Sequence, residues 1–276
     1  MRVIKFDIDS DEIELVPLAD LHIGNPFCDT ELIKEVCDYI AKTPNCYTLL
    51  NGDICETVTR NSVGNIYETT SPQDQIVTAC FYLKPIIEQK KCINILSGNH
   101  ENRMLKDTGL SMTDMLLAHL LQYDPTLNER YCQDGAYTFL VMNGRKSGSN
   151  KNHKAVTLYN THGHGGGSKI GGKIQKLDDT YVPADIIIKS HTHVPETHRG
   201  VYFCVNPNEY TVKEKPIVYC NTGAYLKFGG YGERAGYKPL SRAIPVIKIK
   251  NVRMRHKGHD TYKTLIECTI KERLGE

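Results

Sequence analysis

Residues 12–22 read Glu-Ile-Glu-Leu-Val-Pro-Leu-Ala-Asp-Leu-His. The aliphatic run over residues 12–19 has the length of a strand and stops at Asp20. A polar turn follows, then a helix-like stretch over 29–41. The same strand, loop and helix rhythm recurs downstream. Residues 47–50 precede Gly52-Asp53 and a helical pattern over 73–89. Residues 92–96 precede Gly98-Asn99-His100-Glu101, and a helix is predicted over 113–122. Beyond that the character turns to β. Runs at 137–142 and 155–160 flank a turn at Asn143-Gly144, with 144–152 reading as an exposed hairpin loop. A strand at 185–189 delivers Ser190-His191-Thr192-His193, and further β-like runs lie at 201–205, 217–220, 243–250 and 265–270. No repeat or linker divides the chain. The expectation is one α/β domain over residues 1–276, with a motif-bearing core at about 12–230 and a strand-rich C-terminal part completing a second sheet.

Each strand end carries residues that bind metals: Asp20-Leu21-His22, Gly52-Asp53, Gly98-Asn99-His100-Glu101, Thr161-His162-Gly163-His164 and His191-Thr192-His193. In α/β sheets the carboxyl ends of neighbouring strands meet at a crevice, so groups distant in sequence can share one site. Any one pair alone is an ordinary occurrence. The Asn amide beside a His free to donate a proton is more specific, and the ordered set points to metal-assisted hydrolysis. Oxygen and imidazole donors without Cys suit divalent ions, Mn first, with Fe, Zn and Mg as alternatives.

Composition narrows the function classes. At 40% hydrophobic and 24% charged residues, the chain matches neither a disordered nor a fibrous protein. A formal net charge of +2 nominates no polyanionic partner by itself. Residues 1–7 turn acidic before any apolar run of signal-peptide length, and no segment approaches the roughly 20 apolar residues of a membrane span. A soluble cytoplasmic protein with no membrane association is expected, of unassigned oligomeric state. The ten Cys form no Cys-x-x-Cys pair and read as reduced, mostly buried thiols.

On these motifs the chain resembles the calcineurin-like metallophosphoesterase superfamily over roughly residues 15–230. It departs at Ser190, where the family has Gly. It also lacks the Gly-Asp-x-Val-Asp-Arg-Gly sequence and the Arg before Gly-Asn-His-Glu of the protein Ser/Thr phosphatase branch. The resemblance implies a four-layer αββα sandwich, two mixed β-sheets flanked by helices. It implies that Asp20, His22 and His193 hold one ion, that Asn99, His162 and His191 hold the other, and that Asp53 bridges them. A hydroxide shared by the ions would attack a phosphate ester, with His100 as general acid and Glu101 as its orienting partner. His162, the first imidazole after its strand, is preferred as the ligand, and His164 then faces the substrate or supports a ligand.

The substrate expected is a phosphate ester, with a phosphodiesterase or nuclease-like reaction favoured over a phosphomonoesterase. A non-catalytic metal-binding scaffold of the same fold is the competing class. Arg103 is placed to reach a phosphate oxygen, because guanidinium offers a forked donor. The polar loop 56–73 and the segments 221–225 and 229–234 are candidate substrate walls. The basic stretch 248–257 leaves nucleic acid or a nucleotide as a possible partner. Gly167 to Lys173 nearly matches a phosphate-binding loop, but Ile174 stands where Mg binding requires Ser or Thr.

Overall fold

Strands and helices follow one another as β1 (Arg2–Ile8), β2 (Glu12–Leu15), α1 (Thr30–Lys42), β3 (Cys46–Asn51), α2 (Pro72–Glu88), β4 (Cys92–Leu96), α3 (Asn99–Thr108), α4 (Met112–Leu120), β5 (Tyr131–Cys132), β6 (Gly135–Asn143), β7 (His153–Thr161), β8 (Ile186–Lys189), β9 (Glu196–Asn206), β10 (Thr211–Asn221), α5 (Gly230–Arg234), β11 (Ile244–His256) and β12 (His259–Lys271). The structure is a computed structural model that describes residues 1–62, 64–143, 153–164, 182–234, 236, 238–256 and 259–275. The expected loop at 144–152 and the Gly- and Lys-rich stretch 167–173 lie outside the described residues.

The strands form two six-stranded mixed sheets, ordered β1-β6-β7-β8-β10-β9 and β12-β11-β2-β3-β4-β5. The pairs β2–β3, β3–β4, β7–β8 and β8–β10 are parallel. Their carboxyl ends therefore face one edge of the sandwich. Between the sheets lies a core containing Ile13, Leu15, Leu49, Ile93, Leu140, Leu158, Ile186, Ile188 and Ile247. Residues from both sheets interdigitate there, as the α/β sandwich expectation requires.

Among the described residues, α1, α2 and α4 cover the outer face of the second sheet. In α1 the buried residues Ile33, Val36, Cys37, Ile40 and Ala41 recur at three and four positions, a stripe that a helix brings to one face. That stripe packs with α2 and α4 residues against Val16, Leu18, Leu50 and Ile95. Asp29 caps α1 by accepting from Leu32 N at 3.3 Å, and Ser71 and Ser111 cap α2 and α4. Among the described residues, no helix is long and apolar enough to cross a membrane.

Several boundaries differ from expectation. The β1 strand, absent from the sequence reading, pairs in parallel with β6; only Ile4 and Ile8 of it are fully buried. The strands β10, β11 and β12 run longer than predicted; in β10 the added residues, 211–215, are largely exposed, where apolar periodicity gives no signal. All ten Cys are free. Cys37, Cys46, Cys55, Cys92, Cys132 and Cys220 are buried. In the basic stretch on β11, Lys248 and Lys250 are paired with Glu14 and Glu12 of β2, which takes part of its charge out of play for nucleic acid.

Candidate metal centre

At the carboxyl edge the two sheets deliver their loops side by side. The β2 strand extends its pairing with β3 through Val16 and Leu18, and the loops beyond stay in register. Asp20 N donates to Gly52 O and His22 N to Asp53 O, each at 3.1 Å. The chain pays for this in backbone strain: Asp20, His22, Asp53, His191 and His193 have φ of 52°, 50°, 51°, 70° and 60°. A left-handed conformation is uncommon for residues other than Gly, and such outliers concentrate at functional sites.

Two glycines let the loops of β3 and β4 cross. Gly52 has φ of 86°, and a Cβ there would sit 2.6 Å from Gly98 Cα. A Cβ on Gly98 would sit 2.0 Å from Asp53 Oδ1. His100 N donates to that oxygen at 2.9 Å, which leaves Asp53 Oδ2 turned toward the imidazoles. His162 Nε2 lies 3.2 Å from Oδ2 and His100 Nε2 lies 3.9 Å from it.

Around Asp53 the donor atoms collect in groups that each lie within 4.8 Å: Asp20, His22 and His193; Asp53, His162 and His191; and His22, Asp53 and His100. His22 Nε2 and His193 Nε2 are 3.2 Å apart, and His193 Nε2 is 3.2 Å from Asp20 Oδ1. Asn99 Oδ1 faces His162 Nε2 at 3.0 Å and His191 Nδ1 at 2.6 Å. All seven residues expected as ligands are thus brought together. His164 is not: it is exposed and belongs to none of these groups.

The far sides of the His22 and His162 rings are held by partners. His22 Nδ1 meets Glu56 Oε2 at 2.9 Å, and His162 Nδ1 donates to Asn51 O at 2.7 Å. Partners of this kind fix the tautomer and aim the free nitrogen. The sequence reading placed Glu56 only in a polar loop; a carboxylate three residues past Asp53 was the available signal. Asp20 Oδ2 accepts from His191 N at 3.0 Å and from Thr222 Oγ1 at 3.3 Å.

Glu101 corrects an expectation. It does not orient His100. Its carboxylate is buried and accepts from Gly98 N, Asp53 N and Cys55 N at 2.9, 3.0 and 2.9 Å, so it fastens the crossing loops. His100 is oriented instead by Glu56, whose backbone oxygen lies 2.6 Å from Nδ1. Arg103 Nη1 donates to Ser62 Oγ at 3.2 Å and borders the cleft.

The donor set fits divalent cations. Asp20 Oδ1 is buried with no hydrogen-bond donor aligned to it, although the His193 ring stands beside it. Such an orphaned carboxylate oxygen, next to imidazole nitrogens aimed at one another, is what a cation satisfies.

The titration behaviour agrees. Burial disfavours charge on His22, yet the Glu56 hydrogen bond and the Asp53 and Asp20 carboxylates raise it to about 9. His162 is likewise disfavoured by burial but raised by Asp53 to about 10. Burial also works against Asp53, which is nonetheless held well below the usual carboxylate range by His162 and His100. In the metal-free protein, protons on these rings therefore stand in for cation charge. Metal binding must expel them, so affinity should rise steadily as pH is raised from about 6 toward 9. Calorimetry at several pH values in buffers of differing ionisation enthalpy reads both the affinity and the released protons. An affinity independent of pH over that range contradicts His22 and His162 as ligands.

The cluster opens into a cleft of about 420 Å³. Its walls come from loop 56–69, from residues 25–27 and from the segment 224–242, and include Arg103, Lys227, Arg234 and Arg242.

No family model matches this sequence, and no curated protein matches it significantly. Among solved structures the chain is similar to vacuolar protein sorting 29 from Cryptosporidium parvum, at 13% identity and a TM-score of 0.39, over 95% of this chain and all of that one.

Proposed function

We propose that the protein is a dinuclear-metal-dependent phosphoesterase, with diesters favoured over monoesters. The observation that carries this reading is the placement of Asp53. Its carboxylate belongs to the group with His22 and also to the group with His162 and His191, the position a carboxylate shared by two ions must occupy. Asp20, His22 and His193 would hold one ion, and Asn99, His162 and His191 the other. When bound, the ions would lower the pKa of water and neutralise charge developing on phosphoryl oxygens.

The chain's own residues supply the rest. Glu56 and Asn51 O keep the Nε2 atoms of His22 and His162 aimed inward, and Asp53 Oδ1 is fixed by His100 N. Arg103 and His100 border the cleft where a substrate phosphate would lie. Burial lowers His100 to about 4, and the positive His22 opposes its protonation while Asp53 favours it. In the metal-free protein His100 is therefore neutral at pH 7, with Nδ1–H directed to Glu56 O. A phosphate anion beside Nε2 would favour protonation there, because a nearby negative charge favours the charged ring. That proton would then be available to the leaving oxygen.

His100→Ala is the test. Metal content is expected to stay near that of wild type. Turnover should fall about 10²–10⁴-fold for esters with poor leaving groups and much less for 4-nitrophenyl esters, whose leaving oxygen needs no proton. Loss of metal together with an equal loss on all esters would instead make His100 a ligand.

A further inference from the structure

We propose that the cleft accepts a phosphate ester carrying a second anionic group across an apolar portion, and that Lys227 and Arg242 receive that group. The inference rests on the phosphoesterase reading for the reacting phosphate but concerns cleft residues outside the metal cluster. Phe27, Leu226, Phe228 and Leu240 line the cleft beyond the metal cluster, and Phe228 is 50% exposed. An apolar wall next to a cluster of charged donors has no use for inorganic phosphate; it suits an ester whose organic part is flat or aliphatic.

In the same cleft, Lys227 and Arg242 share one carboxylate. Lys227 Nζ is 3.6 Å from Asp29 Oδ1, and Arg242 Nη1 pairs with Oδ2. The Asp29 side chain is only 6% exposed, whereas Lys227 and Arg242 are 52% and 43% exposed. Two cations on one anion leave a net positive charge at the cleft surface. The N-terminal end of α1, which Asp29 caps, adds to it. Securing a helix cap requires neither cation, since the cap bond is made by Asp29 itself. The chain as a whole carries only +2, so the concentration here is local.

The wall is tied to the metal cluster by backbone bonds. Tyr225 N donates to Asp20 O at 3.0 Å, Asp29 N to Tyr225 O at 2.8 Å, and Lys227 N to Phe27 O at 2.8 Å. Gly229, at φ 150°, closes over Phe27, where a Cβ would lie 2.2 Å from the ring. These bonds tie the segment that carries Lys227 to the loop that carries Asp20.

The test compares two chromogenic diesters, thymidine 5′-(4-nitrophenyl phosphate) and the same compound bearing a 3′-phosphate, with a 3′-carboxymethyl ether as the carboxylate arm. The metal-loaded wild-type protein is expected to favour the 3′-anionic forms by about tenfold or more in kcat/KM, chiefly through KM. In Arg242→Gln and Lys227→Gln, each of which leaves one cation on Asp29, that ratio should fall toward one. Arg242→Lys should retain most of it. Equal use of all three esters by wild type, or an equal loss on all three in the variants, overturns the subsite. If no ester is turned over, the phosphoesterase reading fails separately. The subsite is then judged by calorimetric binding of thymidine 3′,5′-bisphosphate, where wild-type binding weakened in Arg242→Gln supports it and identical or absent binding rejects it.

Discussion

Replacing Asp53 with Asn is expected to abolish turnover and to weaken both metal sites at once. The amide keeps the shape and one acceptor oxygen but removes the charge that offsets two cations, and its NH₂ faces the imidazoles. Asp53 is 1% exposed and its Oδ2 lies 3.2 Å from His162 Nε2, so little water is at hand to compensate. A fall in kcat/KM of about 10³-fold or more, equivalent to about 4 kcal/mol of barrier, is expected. Metal analysis after dialysis should show less than one ion per chain. Retention of two ions would remove Asp53 from the bridging position. Loss of one alone would assign it to a single site.

Glu101→Ala should act on the fold more than on chemistry. The change strands the buried N–H groups of Gly98, Asp53 and Cys55, which all donate to this carboxylate. Each unpaired buried donor costs about 1–3 kcal/mol, and the three share one loop crossing, so a loss of about 3–5 kcal/mol is expected. Denaturant unfolding of the metal-free variant reads it directly. Glu101→Gln, which keeps one acceptor oxygen, should recover part of the loss. If Glu101 instead served His100, the Ala variant would unfold as wild type does and show only the leaving-group-dependent defect of His100→Ala.

The positions of the expected ligands were legible because each follows within a few residues a strand whose apolar run is plain in the sequence, although β2 itself ends at Leu15 rather than at Ala19. The predicted strand 92–96 coincides with Cys92–Leu96, and the helix predicted over 73–89 is displaced from Pro72–Glu88 by one residue. Parallel strands then bring their ends together without further information. What the sequence withheld depends on three-dimensional approach. The partnership of Glu56 with His22 joins residues 34 apart, and the loop fastening by Glu101 arises where two glycines allow backbones to cross. Neither leaves a periodic trace. Glu101 was assigned by adjacency to His100, yet in the first turn of α3 it points back to the N-terminal amide of its own helix and to the neighbouring loop. The segments around Lys227 and Arg242 were legible only as glycine-rich and polar; the cationic pair emerges where these two side chains meet Asp29, the cap of α1.

These donors are proposed to hold two ions with which the protein hydrolyses phosphate esters. The most direct test is stepwise addition of Mn, Fe, Zn or Mg to metal-free protein while turnover of 4-nitrophenyl monoester and bis(4-nitrophenyl) diester is followed. Activity that rises until two ions are bound per chain, and is absent from Asp53→Asn at the same loading, is the predicted result. Two ions bound with no turnover of either ester under any metal would contradict the catalytic reading and leave a metal-binding scaffold.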